Sequence, residues 1–441
     1  MKNFRSLTLA ATFCLIGSTQ AADLRSVYQD ALAHDAQYAA AQAALLAGRE
    51  KLPQGRAGLL PSIALSGNST WNETDVTRSV AGAPTLPINY NTNGWTLSLT
   101  QPLFRWQNWV SYQQSELSVA LAEAQFAAAK MDLVLRSAQA YFDVLLAEHS
   151  LSTTQAQKAS IGEQLAAAKL NFDVGTATIT DTHEAQARLD LALAQEIAAV
   201  NDLEVKKFAL QTLTGKGHEK LKPWRRQVTL NAPQPNDMNA WVALAESDAT
   251  SVRIAQANLE IARREVDKQR AGHYPTLDLV VSRGHNALGY SATTQSGLET
   301  ESTAIGIQLS LPIFSGGAAS SKQRESSALQ NKAGADLDGA KRTAALTARQ
   351  TYLGLSSGLQ QVRAYEAALI SSNSALAANQ LGYEVGTRIN IDVLNAQSQL
   401  YDTTQKLARA RFDSLMALLR LKQAVGTLSE DDIVALNAHL E

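Results

Sequence analysis

Two long stretches of the chain carry apolar residues at the three- and four-residue spacing of a helix and contain no proline. The first runs from about Gln107 to Phe172, and the second from about Ala319 to Gly382. At about 1.5 Å per residue, each predicts a rod on the order of 100 Å long. A shorter helix is predicted after each rod, over 181–213 and over 392–425. The pattern therefore predicts two long antiparallel helical hairpins.

Four other stretches alternate apolar and polar positions, as β-strands with one apolar face do. They lie in pairs, within 61–104 and 274–314, and each is long enough, at about ten residues, to cross a bilayer at a tilt. Their apolar members are Ile63, Leu65, Trp71, Trp95, Leu97, Leu99, Leu277, Leu279, Val281, Ile305, Ile307, Leu309 and Leu311. The polar connections, 72–94 and 283–303, are expected to be long surface loops. An ordinary solvated sheet with one buried face is the alternative.

A four-stranded sheet is incomplete as a membrane structure. Four strands cannot close a barrel, and an open sheet edge in lipid leaves backbone groups without hydrogen bonds. A dimer would supply eight strands, a size whose interior is filled by side chains. A conducting pore therefore requires at least three protomers and twelve strands, and the strand count alone leaves a trimer or a larger oligomer open.

The chain contains two copies of one pattern. The segment L-N-F-D-V-G-T at 170–176 returns as L-G-Y-E-V-G-T at 381–387, a shift of 381 minus 170, or 211 residues. The pattern R-A-G-x-x-P likewise occurs at 56–61 and at 270–275. In the predicted hairpin tips, glycine suits a left-handed turn, and an acid in the first turn of the next helix is favourable. The glycines are Gly175 and Gly386, and the acids are Asp181 and Asp392.

These landmarks divide the chain into segments. A basic start, an apolar run and small residues predict a signal peptide over 1–21. The other predicted segments are an N-terminal helix over 22–60, a first transmembrane hairpin over 61–104, a first helical hairpin over 105–215 with its tip at 173–181, a linker at the waist over 216–237, a helix over 238–273, a second transmembrane hairpin over 274–314, a second helical hairpin over 315–425 with its tip at 383–392, and a C-terminal tail over 426–441. The predicted fold class is an α+β membrane protein with an internal tandem repeat.

Composition excludes several classes of function. Lys and Arg (39) nearly balance Asp and Glu (41), and aromatic residues make up 6%, so no basic, aromatic surface for nucleic acid is expected. The single cysteine, Cys14, lies in the predicted signal peptide. No phosphate-binding loop, nucleophile elbow, H-E-x-x-H motif or cluster of metal ligands occurs. We therefore expect a protein that is not an enzyme and that has no cofactor.

The opening pattern Leu24-x-x-Val27-Tyr28, the paired R-A-G-x-x-P segments and the paired V-G-T tips together resemble the TolC family of outer-membrane exit ducts, over essentially the whole mature chain. The resemblance implies a homotrimer with a 12-stranded β-barrel in outer-membrane lipid and a coiled-coil α-barrel in the periplasm. It implies a passive duct that moves small toxic compounds, secreted proteins or both. Its expected partners are a periplasmic membrane-fusion adaptor and an inner-membrane ABC transporter or proton-driven pump.

The resemblance also implies roles for residues at the second tip. Asp392 matches an acidic ring that narrows the pore, and Asn395 stands where the family has a second acid. Tyr383 and Arg388 match residues that tether the inner coil to its neighbours. Their matching partners are Thr180 and Asp181, and a bond from Arg388 to Asp181 would be a gate latch.

Adaptor docking is implied at both tips, and each implied role has a simpler alternative. The implied docking residues are Val174, Gly175, Thr176, Val385, Gly386 and Thr387. The V-G-T turn could be only a helix stop, Asp392 a helix-start acid, Arg388 a solvated charge and Tyr383 a coiled-coil filler. For the whole chain, the alternatives are a non-conducting coiled-coil protein that β-strands anchor in the envelope and, less favoured, a periplasmic enzyme.

Overall fold

The computed structural model describes residues 21–77, 82, 84–225, 232–291, 296–438 and 440. The predicted signal peptide, apart from its last residue, lies outside the described residues. Four long helices dominate the molecule, and they pair as two antiparallel hairpins. These helices are α4 (Trp106–Asp173), α5 (Ile179–Thr214), α8 (Ala318–Glu384) and α9 (Asn390–Ala424). Helices α4 and α8 contain 68 and 67 residues, which places each tip on the order of 100 Å from the sheet.

The N-terminal segment departs from the prediction of one helix over 22–60. It forms α1 (Leu24–His34), α2 (Ala36–Arg49) and α3 (Lys51–Ala57). The first break is at Asp35, whose extended backbone lets its carboxylate accept the amide of Tyr38 at 2.6 Å and cap α2. The same carboxylate is buried and paired with Arg136 at 2.7 Å, which lowers the pKa of Asp35. The N-cap at Asp35 and its ion pair with Arg136 thus fix the bend between α1 and α2, which the alanine-rich sequence around it does not predict.

The helix predicted over 238–273 is also divided. It forms α6 (Met238–Asp248), α7 (Thr250–Arg270) and one 3-10 turn. The break is at Ala249, whose φ of −53° and ψ of 135° lie outside the helical region. Near the C terminus, α10 (Glu430–Asn437) begins with a capping box from Ser429.

The sheet is a four-stranded antiparallel meander of order β1-β2-β3-β4. Its strands are β1 (Ser62–Val76), β2 (Leu86–Phe104), β3 (Thr276–Ser291) and β4 (Ser296–Ser310). They contain 15 to 19 residues, so the prediction of ten-residue strands joined by long loops over 72–94 and 283–303 is wrong. The polar segments continue the antiparallel ladder, in which threonine and tyrosine favour the extended backbone. The strands therefore extend beyond the apolar band.

One face of this sheet is apolar and the other polar. Ile63, Leu99, Val281 and Ile305 form one row across all four strands on the apolar face. Serine, threonine, glycine and asparagine dominate the opposite face. Within the described residues, β1 and β4 each have one strand neighbour, so the sheet has two open edges. This is the pattern of a barrel segment with a lipid face and a lumen face.

The core of the protomer lies at the waist, the level of the long helices at which linker residues 216–225 pack. There the N- and C-terminal segments wrap the long helices. Phe142 is almost fully buried and contacts the rings of Tyr141, Trp224 and Phe412. The linker is held by short β-bridges, from Leu221 to the N-terminal segment and from Trp224 to the C-terminal tail. The waist therefore anchors the segment that begins at Ala22 and the tail that reaches Leu440.

A bidentate ion pair joins the two copies where the sheet meets the helices. Arg105 follows β2 and begins α4, and its Nε and Nη2 donate to the carboxylate of Asp278 on β3 at 2.8 and 2.6 Å. The Asp278 side chain is buried. Paired planar groups of this kind fix relative orientation as well as distance. The clamp therefore sets the angle at which α4 leaves the sheet.

Candidate functional site

The two hairpin tips share one backbone geometry. Gly175 and Gly386 have φ angles of 78° and 77°, a region in which residues with a Cβ atom are strained. In each turn the threonine after glycine donates its amide to a carbonyl five residues earlier at 2.8 Å. Hydroxyl bonds to the same carbonyls reinforce both turns. The repeated sequence thus encodes a repeated turn.

The first tip caps its returning helix completely. Thr178 is the N-cap of α5, and the amide of Asp181 donates to its hydroxyl. The Asp181 carboxylate in turn accepts the amide and hydroxyl of Thr178 at 3.0 and 2.8 Å. Such a capping box satisfies two backbone donors that a bare helix start leaves open. Asp181 is therefore a helix-start acid in this protomer, and Thr180 beside it is exposed.

The second tip lacks this cap. The N-cap of α9 is Ile389, which has no side-chain oxygen to bond the first amides. Asp392 instead lies 3.6 Å from Arg388, one turn before it, and the carboxylate side chain remains 34% exposed. Asn390 is only 3% exposed, and both polar atoms of its side chain lack a hydrogen-bond partner among the described residues. The second tip is therefore less completely hydrogen-bonded than the first.

Two contacts join the tips to each other. The Asn171 amide donates to the Tyr383 hydroxyl at 3.0 Å, and Arg188 donates to the Asn395 side-chain oxygen at 2.8 Å. The sequence prediction did not include Asn171 or Arg188. The 211-residue shift matches Tyr383 with Phe172, and Asn171 is the residue before Phe172. This position in the repeat is the one sequence feature that points to Asn171. Arg188 carries no such signal, because only the packing of α5 beside α9 brings it to Asn395.

The predicted latch residues are not joined within the protomer. Arg388 pairs with Asp392, and Asp181 is occupied by the capping box. Arg388, Asp392 and Asn395 line one side of an open groove of about 460 Å³ between α8 and α9. Polar residues such as Ser371 and Gln399 complete its lining. The groove presents both a cation and a carboxylate to any group that enters it.

The predicted docking residues form two exposed apolar points. Val174 and Val385 are 65% and 66% exposed, although valine is usually a buried residue. The neighbouring residues Gly175, Thr176, Gly386 and Thr387 are exposed as well. Each tip therefore presents one branched apolar side chain beside an open glycine backbone.

Among the described residues, no group of three or more potential metal ligands comes together. No described helix is both long and apolar enough to cross a membrane.

Comparison with known proteins identifies the family. The model of the Outer membrane efflux protein family matches residues 27–216 and 241–427. The outer membrane protein TolC of Vibrio cholerae is 33% identical, over 98% of this chain and 97% of that protein. The alkaline protease secretion protein AprF of Pseudomonas aeruginosa is 34% identical, over 92% of this chain and 85% of that protein.

Solved structures share the fold. The outer membrane protein VceC of Vibrio cholerae superposes with a TM-score of 0.77 at 20% identity, over 91% of this chain and 96% of that one. The CmeC outer membrane channel of Campylobacter jejuni gives a TM-score of 0.77 at 16% identity, over 95% and 90%. The predictions of the α+β channel fold and of the outer-membrane location are confirmed. The chain therefore belongs to the outer membrane efflux protein family, whose members are outer-membrane exit ducts.

Proposed function

We propose that three copies of this chain close a 12-stranded barrel and a continuous helical tunnel. The two open edges of the sheet support this proposal, because β4 of one protomer can pair with β1 of the next and leave no edge in lipid. Apolar side chains are also exposed on the long helices, which a neighbouring protomer would cover. They include Ile197, Phe208 and Ile370.

The duct acts passively and has no enzymatic activity or cofactor of its own. Export energy comes from an inner-membrane ABC transporter or proton-driven pump, joined through a periplasmic membrane-fusion adaptor. The adaptor docks at the two V-G-T turns, which the exposure of Val174 and Val385 supports. The cargo class is secreted proteins, small toxic compounds or both. Relatives named for protease secretion cover most of this chain at 34% and 30% identity, and BepC, named as an efflux protein, is 26% identical.

The control point lies at the second tip. Three Asp392 carboxylates around one axis form an acidic ring that favours cations, and the observation that carries this proposal is the partial exposure of Asp392 on an uncapped helix end. Asn395 weakens the ring because it replaces a carboxylate and accepts a bond from Arg188. Tyr383 and Arg388, with Thr180 and Asp181 of a neighbouring protomer, hold the ring closed.

Single-channel recording of the purified oligomer in a planar bilayer tests the proposal. The duct predicts cation-selective openings that multivalent cations block. Asp392→Ala should weaken both properties, because the ring loses three charges. Asp336→Ala, which removes an exposed acid far along α8, is the matched control and should change neither.

Two outcomes would count against the proposal. Well-folded oligomers without openings would favour a non-conducting envelope protein that the strands merely anchor. Openings whose selectivity is the same with and without Asp392 would keep the duct but remove Asp392 from its narrowest point.

A further inference from the structure

One cation interrupts the apolar face of the sheet. On β3, the side chains of Leu279 and Val281 lie on this face, and the next residue on the same face is Arg283. Its neighbours across the ladder are Leu97 on β2 and Thr303 on β4. Arg283 is exposed. An exposed guanidinium therefore borders an apolar surface that faces lipid.

Arg283 lies at the outer limit of the aliphatic part of that surface, beyond which the large apolar residues on this face are aromatic. Because the helical part extends into the periplasm, the strand hairpins point to the cell exterior. The next row in that direction is Trp95, His285 and Glu301, which is polar except for the indole ring. A charged side chain facing lipid costs most free energy at the bilayer centre and little near the interface, where aromatic residues also gather. Arg283 and His285 therefore lie at the depth of the outer-leaflet headgroups.

No described side chain of the protomer pairs with this arginine. Among the described residues, the Arg283 side chain forms no hydrogen bond or ion pair. The nearest acid in register, Glu301, is the ladder partner of His285 and not of Arg283. Since β3 is flanked by β2 and β4 of the same chain, a neighbouring protomer lies two strands away. On this face Glu301 lies one ladder row farther out without a described ion pair to Arg283, which leaves the guanidinium open to an anion from the membrane.

We propose that Arg283, with His285 beside it, binds the phosphate of a phosphorylated lipid in the outer leaflet. A guanidinium presents a planar fork of donors that matches phosphate oxygens, and an imidazole N–H adds a further donor. The apolar Leu97 and Val281 lie on the membrane side of the guanidinium, where acyl chains extend, and Trp95 lies at headgroup depth. These contacts select a lipid over free phosphate. The site depends on neither the cargo nor the gate.

Titration of the purified oligomer with lipid A that carries two phosphates, followed by native mass spectrometry, tests the site. The wild-type oligomer should bind this lipid about tenfold more tightly than Arg283→Gln, as expected for a charged hydrogen bond. Arg283→Lys, which keeps the charge and loses the fork, should fall between them. Dephosphorylated lipid should bind wild type and Arg283→Gln equally. The control Arg409→Gln removes an exposed arginine from α9, far from the membrane, and should bind as wild type does.

Four results would overturn the proposal. Equal binding by wild type and Arg283→Gln would remove the arginine from the site. Equal binding of phosphorylated and dephosphorylated lipid would remove the phosphate, and displacement of lipid A by millimolar inorganic phosphate would assign the site to the free ion. If neither variant assembles, a photoactivatable lipid A should label wild-type peptides that contain Trp95 or His285, and labelling confined to other strands would overturn the assignment.

Discussion

The two periplasmic tips share a backbone turn and differ in the four side chains that follow it, of which the first three decide the comparison. The residues matched by the 211-residue shift are Ala177 and Arg388, Thr178 and Ile389, and Ile179 and Asn390. At the last pair the usual preference is reversed, because Ile179 is 46% exposed whereas Asn390 is 3% exposed. The first tip therefore has a polar residue at the N-cap, Thr178, whereas the second has its polar residue, Asn390, at a buried position.

This difference predicts that the second tip rearranges more easily than the first. The Thr178–Asp181 capping box forms three hydrogen bonds that opening of that turn would break, although the Thr182 hydroxyl beside it is buried without a partner among the described residues. At the second tip, opening exposes Asn390 to water, and hydration recovers free energy that burial costs. The two copies thus share one turn, and among the described residues only the second combines an uncapped helix start with a buried unpaired amide.

The largest expected effect comes from removing the buried amide. Asn390→Leu should stabilise the second tip by about 1–3 kcal/mol, because two unpaired polar atoms leave the interior. Thermal unfolding of the oligomer should shift upward, and channel openings should become rarer. The matched change Ile179→Asn, at an exposed site, should alter both readings little. An unchanged or lower unfolding midpoint for Asn390→Leu would mean that Asn390 has a partner in the oligomer.

The next effect tests the cap. Thr178→Ala should destabilise the start of α5 by about 1 kcal/mol, because the N-cap oxygen is lost. Hydrogen exchange in the first turn of α5 should accelerate, while the first turn of α9 should stay as it is. Ile389→Thr should supply the missing N-cap oxygen and form a capping box with Asp392. Hydrogen exchange in the first turn of α9 should then slow. Equal exchange at the two helix starts in the wild type would contradict the assigned difference.

The smallest effect on stability is expected at the Arg388–Asp392 pair. Both side chains are substantially exposed and lie four residues apart on one helix, so Arg388→Ser should cost only about 0.5 kcal/mol or less. If Arg388 also holds a neighbouring protomer, the same variant should raise single-channel conductance. Unaltered conductance would place the latch elsewhere. Arg409→Ser, in a similar exposed pair with Asp413, is the control for both measurements.

The repeat itself made much of this architecture predictable. The φ angles of Gly175 and Gly386 are a local requirement of the turn, and local requirements appear in sequence. The long helices were predictable because their apolar period continues without proline. The N-terminal corner was not, since the pattern around Asp35 is compatible with a continuous helix and the ion pair with Arg136 is a tertiary contact.

The tips show the same limit of prediction from sequence. Asp181 and Asp392 occupy identical positions in the repeat, and their different surroundings follow from the residue three places earlier, Thr178 or Ile389. That difference is visible in the sequence. The bond between Arg188 and Asn395 cannot be read in this way, because it depends on how two helices from different copies pack.

The Arg105–Asp278 clamp bears on the symmetry of the assembled ring. Its matched positions in the other copy, judged from the repeated P-L/I-F and R-A-G-x-x-P segments, are Ser315 and Ala64, which cannot form an ion pair. Three chains with two copies each could approach sixfold symmetry, but the clamp recurs at only three of the six junctions. In the proposed trimer, each four-stranded sheet supplies one third of the barrel with its central junction already fixed. The three junctions between protomers lack this ion pair, and they are where subunits join and where the ring can separate.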